Sequence, residues 1–121
     1  MSVYEVSSVS ELKRILRAYD IVMIGYIDPE VSGKMEKEFW RAMKELFRKI
    51  HISNNIFTAW INARNIELAN DVKTVPMFRV YYRGQIIFEQ YGGFGDRELD
   101  LYVLRRSIRS VFEKLGITYK I

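Results

Sequence analysis

Cysteine is absent from the chain. Without a thiolate there is no thiol nucleophile, no disulfide exchange, no thiolate-held zinc and no iron–sulfur cluster on this polypeptide. Histidine occurs once, as His51, so a histidine pair for a transition metal is missing too. Two prolines and seven glycines exclude collagen-like and low-complexity chains. Long apolar runs are also missing. The longest, Ile21 to Ile27, lies between Asp20 and Asp28 and is far short of the roughly 20 residues that span a bilayer. Met1-Ser2-Val3-Tyr4-Glu5 lacks the basic-then-apolar pattern of a signal peptide. These features lead us to expect a cytoplasmic protein with no membrane association. Glutamine is scarce (Gln85 and Gln90) beside abundant Ile, Lys, Arg and Glu, a composition that suits a thermophilic source.

What is present suits one folded domain spanning residues 1–121. The 121 residues are 49% hydrophobic, 14% aromatic and 28% charged, with a net charge of +4, and two separate cores would be too small. Val3 to Val6 alternates as an edge strand does. Ser8 and Glu11 have capping-box spacing, and a helix to Tyr19 should turn Val9, Leu12, Ile15 and Leu16 inward. Ile21–Ile27 reads as a strand buried on both faces. Asp28 to Gly33 is a loop. Met35, Phe39, Ala42, Met43, Leu46 and Ile50 mark a helix from about Lys34 to His51. After a turn at Ser53-Asn54-Asn55, Ile56–Asn62 alternates Phe57, Ala59 and Ile61 against Thr58, Trp60 and Asn62. Asn65 to Asn70 is expected as a short helix. Met77–Tyr82 and Gln85–Tyr91 are strands joined by the hairpin signal Arg83-Gly84. Asp96 caps a last helix to Leu115, with Leu101, Leu104, Ile108, Val111 and Leu115 as its stripe and Gly116 as its C-cap. The order β-α-β-α-β-α-β-β-α predicts an α/β three-layer sandwich around a mixed sheet of about five strands.

Val72-Lys73-Thr74-Val75-Pro76, the strand after it and Arg83-Gly84, then Tyr91-Gly92-Gly93 and Trp60-Ile61-Asn62-Ala63, together resemble the thioredoxin-like superfamily from Val3 to about Leu115. The resemblance implies a cis bond at Val75-Pro76. It also aligns Glu30-Val31-Ser32-Gly33 with the family's Cys-Gly-Pro-Cys, and Ile24 with the family's buried aspartate. Both sulfurs and the proton-relay carboxylate are therefore gone, so no dithiol chemistry is expected.

Ser32 as a nucleophile needs a neighbouring base. His51 lies about 25 Å away by helix rise, so a helix-capping Ser is the plainer reading. Asp28, Glu30 and Glu36 suit the first turn of a helix better than a catalytic pair. Gly92-Gly93-Phe94-Gly95 lacks the Lys and Ser/Thr of a nucleotide loop, and Phe94 is either a core plug or an exposed anchor. Arg105, Arg106 and Arg109 form a basic face on the last helix, and Lys44, Arg48 and Lys49 do something similar on the second. Acidic neighbours dilute the former, and nucleic acid is not the expected partner. Trp40, Phe47, Ile117, Tyr119 and Ile121 are either a wide core or a self-association surface for a homodimer.

The function that the resemblance implies is a redox-inactive binding module with no catalytic residue, no metal and no cofactor. Its protein or peptide partner would pair with the backbone at Val75, in a groove lined by Val31, Ser32, Thr74, Val75, Pro76, Tyr91, Gly93 and Phe94. Two alternatives stay open: a nucleic-acid-associated factor using the arginine face, and a glutathione-binding transferase-like enzyme using Ser32.

Overall fold

The computed structural model describes residues 3–31, 33–50 and 56–118. Its elements run β1 (Tyr4–Glu5), α1 (Val9–Ala18), β2 (Ile21–Ile27), α2 (Lys34–Ile50), β3 (Ile56–Asn62), β4 (Met77–Tyr82), β5 (Gln85–Tyr91) and α3 (Arg97–Leu115). His51 and the Ser53–Asn55 turn lie outside the described residues. The strands form one sheet in the order β1-β3-β2-β4-β5. β3 is parallel to β1 and β2, and β4 is antiparallel to β2 and β5. The crossovers β1-α1-β2 and β2-α2-β3 suit parallel pairing, and the two-residue hairpin suits antiparallel pairing.

β2 is buried along its whole length because both faces of the sheet are covered. Ile21, Met23 and Ile27 face a core shared with α2 and α3, which supply Phe39, Met43, Leu46, Leu104 and Ile108. Val22, Ile24 and Tyr26 face the opposite core, with Ile15 of α1 and Leu68. Gly25 falls on the α2 face, and a Cβ there would stand 2.6 Å from Met43 Sδ, so the missing side chain lets α2 lie close to the sheet.

Local signals explain the element ends. Ser8 Oγ accepts from Glu11 N–H, and Glu11 Oε1 accepts from Ser7 N–H, one residue before the expected cap position. Asp96 Oδ1 accepts from the N–H groups of Glu98 and Leu99. Gly116 ends α3 at φ +70°, and the N–H of Ile117 reaches back to the Phe112 carbonyl. Arg83 and Gly84 both have positive φ, as a tight two-residue hairpin requires.

Two expectations are corrected. Residues 65–70 are turns, not a helix. Asn65 uses its side-chain oxygen on Leu68 N–H and its amide on the Ser7 carbonyl, offering the backbone an alternative to helical pairing. The buried line of α3 is Asp100, Leu104, Ile108 and Phe112, while Leu115 is half exposed. Steps of four residues carry the contact line onto Phe112, and Leu115, the last residue of the helix, lies outside it.

Candidate functional site

The carboxyl end of β2, the start of β4 and the end of β5 meet at one end of the sheet, an edge formed by strand ends and not by an outer strand. Tyr26 pairs with Met77, Met77 pairs with Tyr91, and the Pro76 carbonyl accepts from Gly92 N–H at 2.8 Å. Pro76 is buried, Val75 half-buried and Thr74 exposed, and the Val75–Pro76 peptide is cis. Among the described residues, no loop, turn or cap bond takes up the N–H or C=O of Val75.

The loop after β2 is organised by Asp28. Its Oδ1 accepts from Glu30 N–H and from Arg64 Nε, and Arg64 also pairs with Glu30. The Arg64 hydrogen bond, with help from the Glu30 N–H, holds the Asp28 carboxyl below its ordinary range. Gly93 follows β5 in a tight place, where a Cβ would lie 2.8 Å from Phe39 and 2.9 Å from Asp100 Oδ2. Phe94 N–H donates to Asp100 Oδ1 at 2.7 Å, while the residue is 62% exposed. Asp100 is fully buried and its Oδ2 has no hydrogen-bond partner among the described residues. Burial pushes its carboxyl above the ordinary range, and Asp96 and Glu38 add to this against the pull of the Phe94 N–H.

Beneath the Val72–Val75 segment lies a polar cluster that the sequence reading missed. Arg79, 3% exposed, donates from Nε to Glu89 Oε2 at 2.7 Å, and its Nη2 forms an ion pair with the same oxygen at 2.6 Å. Its Nη1 reaches the Tyr26 and Tyr81 hydroxyls at 3.1 and 3.3 Å, and Asp71 at 3.2 Å. Burial works against the guanidinium charge, but these partners outweigh it and hold the proton more firmly than usual. Tyr91 hydroxyl donates to Glu89 Oε1, so β5, β4 and the segment before Pro76 are linked through one cation. The available signal was an arginine in an otherwise apolar and aromatic strand, Met77-Phe78-Arg79-Val80-Tyr81-Tyr82, with Glu89 opposite in a facing strand.

No known sequence family matches the chain, and neither does any curated protein. Solved structures do. Thioredoxin from Trypanosoma brucei brucei superposes with a TM-score of 0.72 at 18% identity, over 93% of this chain and 92% of that one. Thioredoxin from Plasmodium falciparum gives 0.70 at 16% identity, over 89% and 98%. Mitochondrial thioredoxin 3 from Saccharomyces cerevisiae gives 0.68 at 14% identity, over 89% and 94%. The chain has the thioredoxin fold.

Within this thioredoxin fold the expected site residues separate. Thr74, Val75, Pro76, Tyr91, Gly93 and Phe94 belong to the edge just described. Val31, 43% exposed, lines a cavity of about 640 Å³ with Trp40, Trp60, Ile27 and Pro29, on the α2 side of the sheet. Ser32, Tyr119 and Ile121 lie outside the described residues. The self-association surface is corrected in part. Phe47 is 2% exposed inside the α2–α3 core, so it offers nothing to a partner. Trp40 is half-buried with its ring 5.7 Å from that of Trp60, and Ile117 is half-buried against the same core. Arg105, Arg106 and Arg109 line a depression on α3, where Arg106 donates to the Tyr102 hydroxyl. Among the described residues no three His, Asp or Glu side chains gather as a metal would need, and no helix is long and apolar enough to cross a membrane.

Proposed function

We propose that this thioredoxin-fold chain is a redox-inactive module that binds an extended segment of another protein at the Pro76 edge. The absence of cysteine removes any mixed-disulfide step on this chain. The observation that carries the binding role is the exposure of Tyr91 and Phe94 beside a buried Pro76 and a Val75 peptide that is unpaired among the described residues. An incoming strand would satisfy the Val75 backbone groups, and the two rings would cover its apolar side chains. Asp100 and the Arg79 cluster brace this edge from behind by fixing the Phe94 loop and the Asp71–Val75 segment.

The test is an amide chemical-shift titration of the full chain with a permanently unfolded, carboxymethylated protein. Shifts should concentrate at Val75, Gly93 and Phe94, and Phe94→Asp should weaken binding about tenfold or more, as loss of an aromatic anchor does. Shifts confined to other surfaces, or unchanged binding in Phe94→Asp, would refute this function.

A further inference from the structure

Each basic stripe, taken by itself, reads as a solvated helix face. The tertiary structure sets two of them side by side. All six exposed residues of α2 are basic: Lys34, Lys37, Arg41, Lys44, Arg48 and Lys49. Lys37, Arg41, Lys44 and Arg48 follow one another at steps of four, three and four, which places them along one side of the helix. α2 and α3 pack on the same core. Together they hold eleven basic and six acidic side chains, a net of +5, against +4 for the whole chain. One of those six acids, Asp100, is buried. The charge excess of the protein therefore resides on this helix layer.

The layer is also concave. A depression of about 330 Å³ is walled by Arg41, Lys44, Arg48, Glu45 and Arg97. A second, of about 570 Å³, begins at the same Glu45 and Arg97 and continues along α3 past Leu101, Tyr102, Arg105, Arg106 and Arg109. The shared wall makes them one trough with seven cations and two carboxylates, Glu45 and Glu98. Glu45 is engaged by Arg97 and Lys49. Arg105 and Arg106 have no carboxylate partner among the described residues. Arg97 to Arg109 spans about 18 Å of helix rise, room for several phosphates in a row.

From this trough we infer that the α2–α3 layer binds single-stranded nucleic acid through its phosphodiester backbone. Arginine dominates the wall, and its planar fork matches phosphate oxygens bidentately. Tyr102, 58% exposed beside Arg105 and Arg106, offers a ring on which an unpaired base can stack. A lipid surface is a poorer occupant, because the apolar sides of both helices are already spent on the core.

The experiment is fluorescence anisotropy of the full chain with labelled mixed-sequence DNA and RNA single strands of about twelve nucleotides. Contact with about three phosphates gives binding that falls about twentyfold between 50 and 200 mM salt. The Arg105→Gln/Arg106→Gln double variant should weaken binding about tenfold or more and flatten the salt dependence. Arg41→Gln/Arg48→Gln, on the other helix, should do the same. Lys13→Gln/Arg17→Gln on α1, across the sheet, should leave binding unchanged. Salt-dependent binding in either the DNA or the RNA arm supports the inference. No binding, salt-independent binding, or equal loss in the α1 variant would overturn the inference. So would displacement by polyglutamate at equal charge, which would make an acidic protein the occupant, or tighter binding to anionic vesicles.

Discussion

Arg79 and Asp100 are the residues on which the candidate site rests, and they are stabilised in opposite ways. Arg79 is buried with its charge answered by Glu89 and Asp71, and the Nη1 that meets Asp71 also donates to two phenols. Replacing it with Met leaves two carboxylates and two hydroxyls without their donor, at an expected cost of about 3 kcal/mol in a urea unfolding experiment. Asp71→Asn should cost less than about 1 kcal/mol, because Asp71 is half exposed and water can replace what it loses. Equal losses would show that the cluster does not act through the buried cation. Asp100 has a carboxylate oxygen with no partner, and its folded pKa is raised above the unfolded value of about 3.9. The folded state therefore binds this proton more tightly than the unfolded state. The resulting stability is complete below about pH 4 and is lost as pH rises through the folded value. Melting temperatures should rise on acidification from neutral pH towards about pH 4 more steeply in the parent than in Asp100→Asn, which keeps the acceptor for Phe94 N–H. A constant gap between the two profiles would show that Asp100 does not titrate in this range.

At the scale of elements, local chemistry decides where helices start and stop. Asp96 takes up two N–H groups at the start of α3. Asp96→Ala should therefore destabilise the chain by about 1 kcal/mol in chemical denaturation. No loss would mean that the Phe94–Asp100 bond alone sets the start of this helix. The two helix ends, the hairpin and the C-cap could be read from the chain because each signal lies within a few residues of its effect. Residues 65–70 show the limit of such reading. There Asn65 bonds to Ser7, remote in sequence, and the turn it holds displaces the expected helix. The α3 stripe shows a second limit. Val111 and Leu115 have the correct spacing and chemistry, yet the partner helix and sheet cover the Asp100–Phe112 line, with Leu101 packed beside it.

For the whole molecule, the sheet divides the protein into two cores and two helix layers, and this division sorts its charge and its aromatic rings. The odd residues of β2 face α2 and α3, and the even ones face α1. Phe47 and Trp40 are seven residues apart on one helix, but Phe47 meets Phe78 inside the sandwich while Trp40 stays at its margin beside Trp60. The α2 and α3 cations are far apart in the chain and become one trough only because both helices pack on the same side of the sheet. Periods of two and three to four, caps, turn residues and the absence of thiols are properties of neighbouring residues. The sequence by itself therefore determined the order of the strands and of the three long helices and the loss of dithiol chemistry, while the topology was implied by the resemblance carried by Val72–Pro76 and the segments after it. Burial is a property of elements brought together from distant parts of the chain. Only the tertiary structure could place Arg79 among two tyrosines and two carboxylates, enclose Asp100 behind Gly93, leave Phe94 exposed and join the two basic stripes. Each of those outcomes depends on which surfaces exclude water from one another, and local spacing carries no record of that.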